Sequence, residues 1–253
     1  MRKIVKFFRI LIAVIVVIPV FATVGTIAII LGLLLRLVRL NKLSDAVAHG
    51  ILSFVAVWIM FGLGSKVTVI GKENLPKKSE NYCMFPNHNS MIDIPAIYRT
   101  GRWPGMVSKA EVWKVPLIHG LLVLLRCIKL NRKSPKDAIK AIHDGVEQIS
   151  NGIPMLIFPE GTRSKDGVIG EFKSGSFKMA TRAKAKVVPV VIKNTRQTLE
   201  DAQYCGIVPV YVQYLPAIDT ADMDAEELKE LPLRVENLVK EAYDKLPSFP
   251  RKK

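Results

Sequence analysis

Two long apolar stretches open the chain. Residues 10–35 contain no charged side chain, and a second apolar stretch follows at residues 46–64. At about 1.5 Å per residue, the first stretch is long enough as a helix to cross a hydrocarbon core of roughly 30 Å. It is also too long for the apolar core of a signal peptide. We therefore predict a membrane-embedded two-helix motif at the start of the chain.

After Gly64 the pattern changes to short β-branched and aromatic runs bounded by turn residues, which is typical of strands. These runs are residues 66–71, 81–86, 127–132, 153–159, 185–193 and 208–218. Apolar residues at helical spacing lie between them, at about 94–101, 115–125, 135–151 and 174–184. Strands that alternate with helices predict an α/β fold with a mixed, largely parallel sheet flanked by helices.

The predicted organisation has two parts. Residues 1–64 form a membrane-embedded helical anchor, and residues 65–253 form the α/β domain. In the second part, Pro135 suits a first helical turn and Gly152 a helix end, which bounds the helix predicted between them. The tail at residues 222–253 has the pattern of a charged amphipathic helix.

The net charge is strongly positive, which bears on the kind of partner that the chain binds. The formal net charge is +15, yet 49% of the residues are hydrophobic and the mean hydropathy is +0.24. A basic surface beside a very apolar segment indicates anionic lipid head groups rather than nucleic acid. The chain carries no RNA- or DNA-binding signature, so we expect no nucleic-acid partner.

Basic residues flank both ends of the first apolar stretch. They are Arg2, Lys3, Lys6 and Arg9 before it, and Arg36, Arg39 and Lys42 after it. An excess of basic residues at one end of the stretch would indicate its orientation in the membrane, whereas basic residues at both ends do not. Pro19 and Gly25 favour a bend inside the stretch. Two full spans and a helical pair in one leaflet both remain open, beside a third interpretation as buried helices of a soluble protein.

The cysteines point away from a metal site. Cys83, Cys127 and Cys205 lie far apart, with no CxxC pair and no histidine at zinc-ligand spacing. We therefore expect no bound metal and a reduced, cytosolic environment. Cys83 lies in an apolar run, so we expect its thiol to be buried.

The stretch FPNHNSMID at residues 85–93 supplies a candidate base. His88 and Asp93 would point roughly 140° apart on one helix, so they meet only if His88 lies in a loop and Asp93 begins the next helix. Pro95 agrees with a first helical turn there. A carboxylate on one imidazole nitrogen leaves the other nitrogen as a base. Taken alone, the pair also fits a loop histidine and a helix cap.

The stretch FPEGTRS at residues 158–164 follows a second apolar run with the same Phe-Pro step. The planar guanidinium of Arg163 suits a phosphate, and Thr162 and backbone amides add donors. Lys173 precedes another helix start, which favours anions. The stretch is not a GxxxxGKS nucleotide loop, so it does not imply ATP, and alone it also fits a solvated turn. Ligands bind beyond strand carboxyl ends in open α/β sheets, so both stretches are expected to build one site.

Together the motifs resemble the glycerolipid acyltransferase family, specifically the 1-acyl-sn-glycerol-3-phosphate (lysophosphatidic acid) acyltransferases. The resemblance rests on the H-x4-D motif in NHNSMID followed by FPEGTRS, and on the blocks SKAEVWKVPLIHGLL at 108–122 and VVPVVI at 187–192. It covers roughly residues 66–220. Residues 65–253 are accordingly interpreted as an acyltransferase domain.

The resemblance implies a role for each motif residue. His88 would deprotonate the 2-hydroxyl of lysophosphatidic acid, which attacks an acyl thioester directly, and Asp93 would orient His88. The remaining residues would form the subsite for the substrate phosphate: Arg163 and Lys109 as cations, Glu160 and Gly161 as its frame, and Thr162 as a donor. The co-substrate would be acyl-CoA or acyl carrier protein, with no bound cofactor and no metal.

Other interpretations stay open on sequence grounds. The acceptor could be glycerol-3-phosphate or another lysophospholipid, and the chain could be a non-catalytic membrane lipid-binding protein. A lipase-like hydrolase is disfavoured because the chain contains no GxSxG elbow. The expected partners are membrane phospholipid, lysophosphatidic acid and the thioester donor, at the cytoplasmic face of the inner membrane. The residues imply no particular oligomeric state.

Overall fold

The computed structural model describes residues 2–77, 79–101, 103–131, 133–201 and 206–249. Cys205 and the end of the tail at 250–253 lie outside the described residues, as do the side chains of Arg2, Lys3 and Lys6 in the first basic cluster.

The first apolar stretch is one continuous helical segment. Helices α1 (Arg2–Val20) and α2 (Thr26–Leu37) are joined by a π-helical turn at Phe21–Gly25. Pro19 has no N–H for the helix ladder, and the hydroxyl of Thr23 donates to the carbonyl of Pro19 at 2.8 Å. Where a bend is predicted, near Pro19 and Gly25, the structure has a π-helical turn within the helical segment.

Helix α3 (Asn41–Gly62) returns along the first segment after a connection at residues 38–40. We call residues 2–62 the hairpin. Its two arms touch closely, since a Cβ placed on Gly62 would lie 2.5 Å from the Cβ of Ala13. Phe7–Leu37 and Asn41–Gly62 are long and apolar enough to cross a membrane, with mean hydropathies of 2.8 and 1.6. These two apolar helices indicate membrane association.

In the part of the chain that the structure describes, seven strands form one sheet in the order β1-β7-β6-β2-β5-β3-β4. The strands are β1 (Ser65–Ile70), β2 (Tyr82–Pro86), β3 (Gly105–Lys109), β4 (Ile128–Leu130), β5 (Met155–Leu156), β6 (Lys186–Lys193) and β7 (Val208–Tyr214). β7 runs antiparallel to β6, and the other neighbouring pairs are parallel. The predicted mixed, largely parallel sheet is therefore confirmed.

Helices cover both faces of the sheet. The hairpin, α4 (Asp93–Tyr98) and α5 (Pro116–Leu124) pack on one face, and α6 (Pro135–Ser150), α7 (Ser174–Arg182) and α8 (Ala225–Lys245) pack on the other. Successive side chains of a strand alternate between faces. On β2, Met84 joins the first core while Cys83 and Phe85 join the second, and all three are fully buried.

The hairpin lies along the α/β unit and contacts it at both ends. At the turn end, Arg36 donates to the carbonyl of Val123 at 2.7 Å and pairs with Asp45 at 3.0 Å. At the other end, the guanidinium of Arg9 lies beside Gly64, just before β1. Between them, apolar hairpin side chains share the first core with the sheet: Ile29, Ala48, Leu52, Ala56 and Met60.

Several elements differ from the sequence prediction, and the run predicted at residues 153–159 forms a strand only over Met155–Leu156. Strand β3 is absent from the prediction, because GMVSK lacks a β-branched run. It forms because Gly105 allows close packing, where a Cβ would lie 2.8 Å from the carbonyl of Arg126. The tail helix ends at Lys245 rather than running through the tail, since Pro247 restricts Leu246 to an extended conformation with ψ of 147°.

The carboxyl ends of β2, β5 and β6 meet at one edge of the sheet, because these neighbours are parallel. The segments that leave them carry His88, Glu160 and Thr195 respectively. This edge is where ligands bind in open α/β sheets.

Candidate active site

His88 and Asp93 form the predicted pair. His88 lies in the loop after β2, Asp93 is the first residue of α4, and their Nδ1 and Oδ2 atoms are 2.9 Å apart. The His88 ring stacks on Phe158, with centroids 3.8 Å apart and planes inclined by 23°. Its side chain is 16% exposed. With Nδ1 held by the carboxylate, Nε2 is the nitrogen left to take a proton from a bound hydroxyl.

Asp93 is surrounded by donors. Its Oδ2 also accepts the backbone N–H groups of Asn89 at 2.7 Å and Ser90 at 2.9 Å. Its Oδ1 accepts the hydroxyl of Thr195 at 2.6 Å. The side chain is 0% exposed. A carboxylate hydrogen-bonded to one imidazole nitrogen stabilises the imidazolium that forms when the other nitrogen takes a proton, so Asp93 is placed to stabilise a protonated His88.

Ser90 does not serve as a nucleophile in this arrangement. It is fully buried, and its hydroxyl donates to Oε2 of Glu200 at 2.7 Å while accepting the backbone N–H of Ile92 at 3.2 Å. Its hydroxyl is therefore engaged on one side by Glu200, which follows β6, and on the other side by its own loop. This agrees with the expectation that the attacking hydroxyl comes from the substrate.

Glu160 joins the two motifs. Its Oε1 accepts the backbone N–H of His88 at 2.6 Å, and its Oε2 accepts that of Gly170 at 2.9 Å. The backbone N–H of Ser164 adds a third link, to the carbonyl of His88 at 2.9 Å. Burial raises the pKa of the Glu160 carboxyl, while the two backbone donors act in the opposite direction. Glu160 thus frames the turn through its backbone contacts.

The rest of the FPEGTRS turn faces solvent with basic side chains around it. Gly161 has a left-handed φ of 71°, a conformation that favours glycine. The ammonium of Lys173 lies beside it, 3.2 Å from the position of a Cβ on Gly161. Thr162 and Arg163 are exposed next to it. Such a turn, with cations and backbone amides, can hold an anion.

Lys109 lies farther along the same edge, at the end of β3. Its side chain is 56% exposed, and its ammonium is 3.1 Å from the carboxylate of Glu111. Because ion pairs between exposed side chains are weak, the contact with Glu111 does not fix the position of the Lys109 side chain. No group of three or more His, Cys, Asp or Glu side chains in the described part of the chain is placed to hold a metal ion.

Two residues at this edge are missing from the sequence prediction. Thr195 contacts Asp93, and Glu200 holds the loop through Ser90 and through the backbone N–H of Met91 at 3.0 Å. The polar pair Asn194-Thr195 after the apolar β6 is a usable signal, since it repeats the polar break that follows β2. No local pattern marks Glu200.

Comparison with known proteins agrees with this geometry. The model of the Acyltransferase family matches residues 66–193, about half of the chain. A 1-acyl-sn-glycerol-3-phosphate acyltransferase from Borreliella burgdorferi is 30% identical over 179 residues, which cover 70% of this chain and 70% of that protein. The chain belongs to the 1-acyl-sn-glycerol-3-phosphate acyltransferase family. This confirms the resemblance carried by the motifs.

The family assignment extends to the fold. The crystal structure of the 1-acyl-sn-glycerophosphate (LPA) acyltransferase PlsC from Thermotoga maritima matches with a TM-score of 0.80 at 27% identity, over 100% of both chains. A 1-acyl-sn-glycerol-3-phosphate acyltransferase from Chlamydomonas reinhardtii is 31% identical over 57% of this chain and 43% of that protein. In two further plant members of the family the matched part spans 36% and 38% of the relative's length.

Proposed function

We propose that this acyltransferase-family protein transfers an acyl chain from a thioester to the 2-hydroxyl of 1-acyl-sn-glycerol-3-phosphate, forming phosphatidic acid for phospholipid biosynthesis. The observation that carries the proposal is the pairing of His88 with a buried, fully hydrogen-bonded Asp93. The names of the relatives support this acceptor. Acyl-CoA and acyl carrier protein are both candidate donors.

The proposed reaction needs one base and two substrates. Nε2 of His88 takes the proton of the 2-hydroxyl as its oxygen attacks the thioester carbonyl carbon. The C–O bond forms, the C–S bond breaks, and the departing sulfur receives the proton from His88, so the imidazole ends neutral. Asp93 stabilises the imidazolium in between. A positioned base supplies on the order of 10²–10⁴-fold, and holding the two substrates together supplies further acceleration.

The acceptor phosphate is proposed to bind at the exposed FPEGTRS turn. Arg163 offers a planar pair of donors, and Lys173 places a second cation beside Gly161. Thr162 adds a hydroxyl, and Lys109 is a further cation at the same edge of the sheet. Glu160 contributes by holding the turn against His88, since its own charge would repel a phosphate. The reaction needs no metal or resident cofactor, because the base and the thiolate leaving group supply its chemistry.

The hairpin is proposed to sit in one leaflet at the cytoplasmic face of the inner membrane. α3 has 22 residues, or about 33 Å, so a crossing helix would separate its ends by the whole hydrocarbon core. Yet Asp45 near its start pairs with Arg126 at 3.1 Å, and its end leads directly into β1. These contacts at both ends of α3 favour an anchor that lies beside the α/β domain in one leaflet over one that crosses the membrane.

The outward face of the hairpin supports the same arrangement. It carries large apolar side chains that are exposed in the protein alone, such as Phe7, Ile18, Ile27, Leu34 and Leu37. Their burial in lipid is favourable by roughly 25 cal/mol per Å². The exposed Arg39 and Lys42 at the turn of the hairpin would meet anionic head groups, at about 1 kcal/mol each.

The direct test is an acyl-transfer assay with the purified full-length protein in mixed micelles. It combines lysophosphatidic acid with acyl-CoA or acyl carrier protein thioester and follows phosphatidic acid. Parallel reactions contain glycerol-3-phosphate or lysophosphatidylcholine. We expect phosphatidic acid from at least one donor. Acylation of another acceptor alone would overturn the substrate assignment, and no transfer to any acceptor would overturn the enzymatic one.

A further inference from the structure

The chain turns sharply where β6 ends. Asn194 takes a left-handed conformation with φ of 68°, which asparagine tolerates better than most residues. Its side chain fixes the turn by donating to the carbonyls of Pro209 at 2.9 Å and Pro247 at 3.1 Å and by accepting the backbone N–H of Phe249 at 3.1 Å. The corner is therefore built by a buried asparagine, and it directs the next residue, Thr195, to the site.

Thr195 is held in a single arrangement. It is fully buried, and its hydroxyl donates to Oδ1 of Asp93 at 2.6 Å. Its carbonyl accepts the backbone N–H of Thr198 at 3.1 Å and the hydroxyl of Thr198 at 2.6 Å. A short bond from a hydroxyl to a carboxylate is charge-assisted and stronger than a neutral one.

The segment after β6, residues 194–201, also reaches both motif loops. Glu200 holds the loop of the first motif through Ser90 and Met91. Arg196 donates to the carbonyl of Ser164 in the second motif at 3.2 Å. The segment thus braces the base and the anion-binding turn from a third strand end.

We propose that Thr195 is a positioning residue for the His88–Asp93 pair, fixing the carboxylate through the oxygen that His88 does not use. The two oxygens of Asp93 have different partners. Oδ2 receives the imidazole and two backbone groups, while Oδ1 receives only the Thr195 hydroxyl among the described contacts. The inference rests on the proposed acyl transfer with His88 as base.

Removing the hydroxyl has a definite electrostatic consequence. Oδ1 would become a buried acceptor without a donor, which is costly for a charged group. The negative charge of the carboxylate would be less stabilised, and the coupled pair would bind a proton more tightly. The base acts only when Nε2 is unprotonated. The acidic limb, which is the rise of kcat/KM with pH on the acidic side of the profile, would therefore move to higher pH.

The test compares three variants with wild type in the acyl-transfer assay. Thr195→Val removes the donor at nearly constant shape, and Thr195→Ser restores it. Thr220→Val is the matched control, because Thr220 is also buried and its hydroxyl donates to the carbonyl of Ala185 at 2.8 Å, at the opposite end of β6. Each variant gives kcat, the KM for lysophosphatidic acid, the pH profile of kcat/KM and an unfolding temperature.

For Thr195→Val we expect kcat to fall about 10- to 100-fold with little change in KM, and the acidic limb to move to higher pH. Thr195→Ser should recover most of the wild-type kcat, and the acidic limb of its pH profile should lie where that of the wild type lies. Thr220→Val should lower the unfolding temperature only. If Thr195→Val does not fold, Thr195→Cys replaces it in the comparison. Because a thiol is a weak donor, its kcat should lie below that of Thr195→Ser, with the limb shifted in the same direction.

Two outcomes separate failure of this inference from failure of the proposed function. The positioning role of Thr195 is overturned if the wild type is active and Thr195→Val has the same kcat and the same acidic limb. It is also overturned if Thr195→Val changes only as Thr220→Val does. If Thr195→Val does not fold, a Thr195→Cys variant that has the kcat and the acidic limb of the wild type also overturns the positioning role. A wild type that transfers no acyl group to any acceptor overturns the proposed function instead.

Discussion

The carboxylate of Glu160 accepts the backbone N–H of His88 at 2.6 Å, so a residue of the second motif fixes the main chain of the first. The two residues lie 72 positions apart, and each follows its own strand. The Phe-Pro steps that end these two strands therefore deliver the halves of one site. The buried Glu160 carboxylate, rather than either loop alone, fixes the position of one motif relative to the other.

Glu160→Gln should loosen this connection. An amide offers one acceptor oxygen, so the backbone N–H of either His88 or Gly170 would face an NH₂ donor. We expect a loss of about 1–3 kcal/mol in the free energy of unfolding and a lower kcat. Thermal unfolding and the transfer assay measure the two effects. The exposed neighbour Glu171 gives the control, Glu171→Gln. Native stability and turnover in Glu160→Gln would show that the link is dispensable.

His88→Ala should remove the base while leaving most of the fold intact. We expect transfer to fall about 10²–10⁴-fold, while the unfolding temperature falls moderately because the variant loses the stacking on Phe158 and the contact with Asp93. Asp93→Asn should keep some activity but cost more stability, since an amide group would face backbone donors in a buried site. Near-native turnover in His88→Ala would contradict general-base catalysis.

Arg163→Ala should weaken the acceptor specifically. A charged hydrogen bond contributes about 1.5–3 kcal/mol, so the KM for lysophosphatidic acid should rise roughly 10- to 100-fold while that for the thioester stays near native. Arg163→Lys should recover part, because it keeps the charge without the planar pair of donors. Arg182→Ala, at the far end of α7, is the control for surface charge. An equal rise in both KM values would argue against a phosphate role.

The parts of this protein that sequence alone predicts are those encoded by local patterns. The apolar run bounded by turn residues predicts β2, whose side chains face two cores, and helical spacing predicts α6 up to its glycine stop. The His88–Asp93 contact is also local, since five positions in a loop and a helix start decide whether the side chains meet.

What the sequence does not predict depends on contacts between distant segments. Thr195 meets Asp93 across 102 positions, and Ser90 meets Glu200 across 110. Arg36 meets Val123 across 87 positions, which is why the apolar stretches alone do not distinguish a docked hairpin from two spans. Such contacts follow from the order of strands in the sheet, and no spacing along the chain encodes that order.

The last prediction concerns the turn of the hairpin. Asn41 is exposed at the start of α3, next to the basic residues Arg39 and Lys42. In a one-leaflet hairpin this turn stays on the side of the α/β domain, whereas in two full spans it lies on the opposite side. Asn41→Cys in a Cys205→Ser background reports the side, because Cys83 and Cys127 are buried. Lys140→Cys, on the exposed face of α6, reports the side of the α/β domain.

Both cysteines are probed in intact cells with a membrane-impermeant thiol reagent, before and after permeabilisation. We expect Asn41→Cys and Lys140→Cys to label only after permeabilisation, because Arg36 anchors the turn to α5 and both basic ends favour the anionic cytoplasmic surface. Labelling of Asn41→Cys alone from outside would establish two spans and would require the Arg36 contact to break in the membrane. Labelling of both from outside would keep the docked hairpin and reverse the face of the membrane on which the α/β domain lies.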